Sequence, residues 1–359
     1  MLAIIGSIAQ DYVAVTPDTI FNKIAPKPDQ INDSPVFYAP SMYIKEGGTG
    51  ANIAYAYNVA AQSIGHQHSA VLFGACSSAR HRKMSALGHM AVDYSKVFLS
   101  DKLDAQCHII TDPTNAQITA FHPGAMEDSL RSHEKMFGDF RLALVSPSSK
   151  DAMLDAIDRL HASGTKVFFD PGQALSLFTA DDLEDLFMSG KVYALICNHH
   201  EILSILETLN LKDSLELTPH IPLVIVTKGP DGIDFLWTAD QHERIVHVPA
   251  APIEASEIVD PTGCGDAFRG GFMLVARNWM HTLQEDWLNL RTTDEERFVK
   301  CLTACAEIGA AVARLCLKHD GPQGYFEKDV AGIRDELVQI CVRHPIEVSG
   351  SVILEANAQ

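Results

Sequence analysis

Positive charge is scarce in this chain. Its 359 residues include 46 aspartates and glutamates but only 28 lysines and arginines, a formal net charge of -18. Without a dense basic patch neither nucleic acid nor an anionic membrane surface is attracted, so neither is expected as a partner. Long apolar runs are missing as well: no stretch approaches the roughly 18 uninterrupted apolar residues of a membrane span. The N-terminus enters LAIIGSIAQD without a basic region or cleavage site, and the expected compartment is the cytoplasm. The eight cysteines (76, 107, 197, 264, 301, 305, 316, 341) form no CxxC pair, which argues against a disulfide scaffold or zinc ribbon and for reduced thiols. His66, His68, His81 and His89 lack metal-ligand spacing and read as ordinary surface or packing residues. No internal repeat or low-complexity tract is present.

An apolar content of 47% is enough for a substantial core. Leu2 to Gly6 reads as a buried strand ending in the turn GSIAQD, which Asp11 closes. Residues 12 to 46 hold five prolines among mixed runs and suit two to four short strands. A small-residue helix follows GGTGAN, and Ala70 to Cys76 (AVLFGAC) reads as a strand leading into a helix to about Gly88. AQCHIIT and AQITAFH, separated by DPTN, give a β-hairpin signature that would pair with residues 12 to 46 in a small sheet outside the main layer. From Phe140 onward strand and helix alternate: RLALVSP, KVFFDPG, YALICN and LVIVTKG are strands with helices between them, and GIDFLW opens a hairpin-like excursion. Such βα units imply a mainly parallel sheet with helices on both faces. The tail carries an amphipathic helix, KDVAGIRDELVQICVR, and an apolar-alternating end, SVILEA. The expected organisation is one domain over 1–330, with lid insertions at about 12–46 and 105–124, and a C-terminal helix and tail over 331–359 packed on it.

Two glycine turns stand out. In DPTGCGDAFRGGFM, Gly263 and Gly265 allow the tight backbone that turns successive N–H groups toward one point at a helix N-terminus, where the macrodipole favours an anion. Asp266 directly follows, poorly placed to bind a phosphate and well placed to take a proton from a nucleophile. That combination points to phosphoryl transfer, although a capped helix start would look the same. In GGTGANIA the glycines at 47, 48 and 50 match neither common nucleotide loop: no Lys-Ser/Thr follows for a Walker A loop, and Ile53 takes the third glycine position of a dinucleotide fingerprint. Asp11, Asp170, Asn198, Thr227 and the 260–266 turn all fall at strand ends or helix starts, and the carboxyl ends of parallel strands share one edge of a sheet.

DPTGCGDAF resembles the C-terminal signature of the ribokinase-like (PfkB) carbohydrate kinases, and GGTGANIA their N-terminal glycine motif. NHHE (Asn198 to Glu201) is similar to their NxxE motif and TKGPDG (Thr227 to Gly232) to their TxGxxG segment, all in order from about residue 2 to 326. The resemblance implies an α/β fold, a ribokinase-like three-layer α/β/α sandwich with a mainly parallel central sheet and a small β-sheet lid. It implies Asp266 as general base and the N–H groups of Gly263, Cys264 and Gly265 as the anion hole. Asn198 and Glu201 would hold the Mg2+ of ATP through waters, while Thr227, Gly229 and Gly232 would contact the nucleotide phosphates. Asp11, Gly48 and Asn52 would hold sugar hydroxyls. Many relatives use a monovalent cation such as K+ near the anion hole. Cys264 reads as a small residue in the hole, not a nucleophile, with no basic partner beside it. One departure is GACSSARHRK, standing where many relatives carry an acidic GxD segment.

NAQITAFHPGAM and FDPGQALSLF are most similar to segments of microbial nucleoside and adenosine kinases. Phe121, with Gln117 earlier on the same strand face, would stack on and hydrogen-bond a nucleobase. The leading expectation is ATP-dependent phosphorylation of a ribonucleoside 5′-hydroxyl, adenosine first, with a ribose or fructose kinase and a non-catalytic nucleoside sensor as alternatives. A monomer and a homodimer paired through the lid both remain open.

Overall fold

Short apolar runs rich in Val, Ile and Leu form the strands, and longer stretches with apolar residues every three or four positions form the helices, as the two side-chain periods require. The computed structural model describes residues 1–24, 36–65, 69–86, 92–114, 116–135, 140–282, 286–325 and 330–344. His66, His68, His89 and the SVILEA end lie outside these residues. In chain order the first half comprises β1 (Leu2–Ile5), β2 (Ala9–Val15), α1 (Ile20–Ile24), β3 (Ser41–Gly47), α2 (Thr49–Ser63), β4 (Ala70–Phe73), β5 (Ala75–Ser77), α3 (Ser78–Ala86), β6 (Phe98–Ser100), β7 (Ala105–Thr111) and β8 (Gln117–His122). There follow β9 (Leu142–Val145), α4 (Lys150–Ala162), β10 (Lys166–Phe169), α5 (Ala180–Met188), β11 (Val192–Asn198), α6 (His199–Leu209) and β12 (Val224–Thr227). Last come β13 (Ile233–Ala239), β14 (His242–Val248), α7 (Cys264–Thr282), α8 (Leu290–Thr293), α9 (Glu295–Leu317) and α10 (Val330–Arg343).

The main sheet has eight strands in the order β14-β13-β12-β11-β10-β9-β1-β4. All pair in parallel from β12 to β4, and the β13–β14 hairpin closes one edge antiparallel. Alternate residues of each strand enter two separate cores. Leu2, Ile4, Leu142, Leu144, Phe168 and Ile196 pack with α2, α7, α9 and α10, whereas Ala3, Ile5, Ala143, Val145, Phe169 and Cys197 pack with α4, α5 and α6. This is the expected α/β/α sandwich. Each fully buried large side chain, such as Phe272 at 0% exposure, contributes about 1.5–3 kcal/mol through burial.

A second sheet of four strands, β3-β2-β7-β8, is built from the two strand-rich segments. Strand β2 joins them, pairing antiparallel with β3 and parallel with β7. Here the first segment departs from expectation: β2 begins at Ala9, so Asp11 is the third residue of a strand and not the end of a turn. The small and polar residues of GSIAQD hide the strand because its partners are remote. The apolar run 70–76 also differs, breaking at Gly74 into β4 of the main sheet and β5, which pairs with β6. A Cβ on Gly74 would stand 2.5 Å from the Gly6 carbonyl oxygen, and the bare backbone lets the chain leave the sheet there.

Candidate active site

Strands β12, β11, β10, β9 and β1 are consecutive in the sheet, so Thr227, Asn198, Asp170, Ser146 and Gly6 stand in sequence along one carboxyl edge. Two loops pack over it. A Cβ on Gly50 would lie 2.7 Å from Gly6, and Gly48 has φ +93° with its Cα face against Ala9 N and Ser7 O. Ser7 holds the start of α2 by accepting from Thr49 N–H through its Oγ (3.0 Å) and from Ala51 N–H through its carbonyl (3.1 Å). That contact puts Asn52, in the first turn of α2, against the start of α7.

Helix α7 brings Asp266 to the same place. Its approach depends on missing side chains: a Cβ on Gly270 would be 2.6 Å from Ala56 of α2, and one on Gly271 2.9 Å from the Ile308 carbonyl of α9. Gly263, just ahead of the helix, has φ +81° and packs on Pro322. Among the described residues no backbone carbonyl accepts from the N–H of Gly263, Gly265 or Asp266, so these donors are available to an anion at the positive end of the helix. The Cys264 N–H differs from expectation, since it already donates to the Pro261 carbonyl at 3.3 Å. The Cys264 thiol turns away to the Ala313 carbonyl of α9 at 3.7 Å, as suits a packing residue.

Asn52 Nδ2 donates to Asp266 Oδ2 at 2.9 Å, and the amide of Gln323 donates to Asn52 Oδ1 at 2.8 Å, which fixes the Asn52 side chain. Asp266 is part-buried, and burial raises its carboxyl to about 6 against the Asn52 hydrogen bond and the positive charge of Arg269. Asp11, in β2, is likewise raised to about 6 by burial. Three residues along α7 from Asp266, Arg269 lies 7% exposed with its Nε 2.6 Å and Nη2 2.9 Å from the two oxygens of Asp170, itself 1% exposed. Burial raises the Asp170 carboxyl and Arg269 opposes that rise. Arg269 Nη2 also lies 3.8 Å from Glu201.

Asn198 and Glu201 form a capping box at the start of α6: Asn198 N–H and Nδ2 donate to the Glu201 carboxylate at 2.8 and 2.7 Å, and Glu201 N–H donates back to Asn198 Oδ1 at 2.9 Å. Each Glu201 oxygen keeps a lone pair. Among the described residues no group of three His, Cys, Asp or Glu could hold a metal directly; a cation such as Mg2+ at this capping box would be held through its own waters. Thr227 pairs with Asn198 in the β11–β12 register. Gly229 (φ +59°) has open space around it, and Gly232 (φ +90°) packs against the Val248 carbonyl.

In the small sheet the register aligns Lys45, Asp11, Cys107 and Phe121 across the four strands. Phe121 therefore shares a face with Asp11 and is half exposed, at 50%. Gln117 stands opposite Thr111 at the far end of β8, roughly 13 Å along the strand from Phe121, and the structure does not bring it beside Asp11. Arg80, within the departing GACSSARHRK segment, is buried, donates to the Ala9 carbonyl at 2.6 Å and pairs with Glu46. That basic stretch ties β2 and β3 to the main body. Sequence reading missed Arg269, Arg80, Lys45 and Gln323, because the partners of each lie tens to hundreds of positions away.

The family described as pfkB family carbohydrate kinase matches residues 2–329. The nucleoside kinase of Methanocaldococcus jannaschii is 30% identical over 193 residues, 52% of this chain and 59% of its own length. That of Methanothermobacter thermautotrophicus is 26% identical over 290 residues, 77% of this chain and 80% of its own. The solved Burkholderia thailandensis nucleoside kinase in complex with inosine is 28% identical and superposes with a TM-score of 0.72 over 96% of this chain and 97% of that one. The same enzyme in complex with ADP-inosine gives a TM-score of 0.68.

Proposed function

The chain belongs to the pfkB family of carbohydrate kinases, enzymes that move a phosphoryl group from ATP to a hydroxyl, and on that premise we propose that it phosphorylates the 5′-hydroxyl of a ribonucleoside, adenosine first. The observation that carries the reading is Asp266: a part-buried carboxylate directly behind free helix N–H groups, oriented by Asn52. In this reading the acceptor lies between the small sheet, acting as a lid, and α2. Asp11, the Gly48 backbone and Asn52 hold its ribose hydroxyls, Phe121 stacks on the base, and Gln117 reaches only the outer end of that face. ATP lies along Thr227, Gly229 and Gly232.

Asp266 accepts the proton of the 5′-hydroxyl as its oxygen forms a bond to the γ-phosphorus, and the bond from that phosphorus to the bridging oxygen breaks to release ADP. The N–H groups of Gly263 and Gly265, with a weaker share from Cys264, receive the charge on the migrating phosphoryl. Asn198 and Glu201 would hold Mg2+ through water, and the ion would neutralise the charge of the β- and γ-phosphates. A monovalent cation such as K+ would add to the positive charge beside the anion hole, where Lys45 already pairs with Asp260 of the turn and Asp320 of the loop after α9. No described helix is long and apolar enough to cross a membrane; the described cysteines are free, as suits the reducing cytoplasm of this reading.

Because the base must be ionised, activity rises with pH through the Asp266 value of about 6. The expected kcat/KM falls by about tenfold per unit below that point. A profile flat down to pH 4.5 would remove Asp266 as a titrating base. The substrate assignment is tested by ADP release from Mg-ATP against nucleosides, pentoses and hexoses. Nucleosides are expected to react; tight adenosine binding without turnover would favour a sensor.

A further inference from the structure

A lysine of the lid reaches the turn that receives the phosphoryl group. Lys45 stands opposite Asp11 in the β2–β3 register, so it points from the same face of the lid. Its ammonium lies 2.5 Å from Asp260 Oδ2 and 2.6 Å from Asp320 Oδ1, and 4.9 Å from the centre of the Tyr43 ring. Asp260 is the first residue of the 260–266 turn. Besides Lys45 it accepts from Thr262 N–H within the turn at 2.9 Å and from Gly321 N–H on the loop after α9 at 3.1 Å. Gly321 has φ +80°, and a Cβ there would stand 3.1 Å from Lys45 Cδ, so the loop lies directly on the lysine stem. Lys45 and Asp260 are each 13% exposed whereas Asp320 is 75% exposed. The pair with Asp260 is therefore the stronger one, and Asp320 is a solvated flank.

The same loop fixes the other end of the turn, since Gln323 orients Asn52 and Asn52 holds Asp266. Asp260 is thus anchored by the lid and the loop, and Asp266 by α2 and the loop. An unpaired Asp260 beside the anion hole would repel an incoming phosphate, and Lys45 cancels that charge. We propose that Lys45 is a positioning residue that couples the lid to the anion hole: when the lid covers the acceptor, its ammonium locks Asp260 and holds the 260–266 turn in the form that receives the phosphoryl group. The kinetic part rests on the kinase reading above; the structural part does not.

The test compares Lys45→Met and Lys45→Arg with the unaltered protein. Amide hydrogen exchange over 260–266, measured without ATP or acceptor, reads the lock directly, and faster exchange there in Lys45→Met is expected, with the α9 core unchanged. In the assay kcat falls about 10- to 100-fold in Lys45→Met, the cost of a misplaced reacting geometry, while the KM for ATP moves by less than about threefold. Lys45→Arg restores most of kcat. Potassium, but not tetramethylammonium, recovers part of the loss in Lys45→Met, raising kcat by a larger factor there than in the unaltered enzyme. Unchanged exchange over 260–266 with kcat within about twofold of the unaltered enzyme overturns the proposal. So does a loss of kcat that neither Lys45→Arg nor potassium repairs. If the unaltered protein phosphorylates nothing, the kinase reading fails while the exchange result still decides the lock. Should Lys45→Met not fold, Lys45→Gln removes the charge while keeping a shorter stem with a polar end, and is read in the same way.

Discussion

Replacing Asp266 with asparagine lowers kcat by about 10²- to 10⁴-fold, the range that a positioned general base contributes. Asparagine is the informative change because the Asn52 amide donates to Asp266 Oδ2 at 2.9 Å, and an asparagine oxygen accepts the same bond. The start of α7 keeps its shape and only basicity is lost. ATP affinity, read by calorimetry or by displacement of a fluorescent nucleotide, stays within about threefold. A variant retaining more than about a tenth of the wild-type rate would mean that Asp266 orients the acceptor without taking its proton.

The second large effect concerns stability. Arg269→Met leaves Asp170, 1% exposed, without the guanidinium that pairs with it and donates from Nη2 to its Oδ1. Breaking a buried pair by removing one partner costs about 3–5 kcal/mol. Denaturant titration of Arg269→Met is expected to show a loss of that size. The double variant Arg269→Met with Asp170→Leu regains part of it, since no buried charge is then stranded. A single variant within about 1 kcal/mol of wild type would show that water reaches Asp170 and that the pair is not an anchor. On the proposed reading activity falls as well, because Arg269, on the same helix as Asp266, holds Asp170 and approaches the Glu201 carboxylate. This buried link joins the starts of α6 and α7.

What the sequence made legible was local. The 260–266 turn, the NHHE helix start and the βα alternation each depend on residues a few positions apart, and each forms the local element expected, with the Cys264 N–H alone turned to the Pro261 carbonyl. The paired strand-rich segments were also readable, since hairpin alternation and proline content mark them. Features set by distant partners were not. Asp11 was assigned to a turn because nothing in GSIAQD reveals that Lys45 and Cys107 flank it in a sheet. An apolar run from Ala70 to Cys76 cannot show that Gly74 hands it from one sheet to another. Lys45 in SMYIKEGG, Gln323 in HDGPQGY and Arg269 in DAFRGG look like ordinary polar residues. Their significance lies in Asp260, Asn52 and Asp170, at separations of 215, 271 and 99 positions.

The proposed reaction is phosphorylation of the 5′-hydroxyl of a ribonucleoside. Its most direct test offers limiting Mg-ATP to an equimolar mixture of adenosine, ribose and fructose and identifies the phosphorylated product by phosphorus NMR, with 5′-deoxyadenosine in a parallel reaction. Adenosine 5′-monophosphate as the dominant product, with no ADP formed beside 5′-deoxyadenosine, is the predicted result. A sugar phosphate formed while adenosine remains untouched would contradict it.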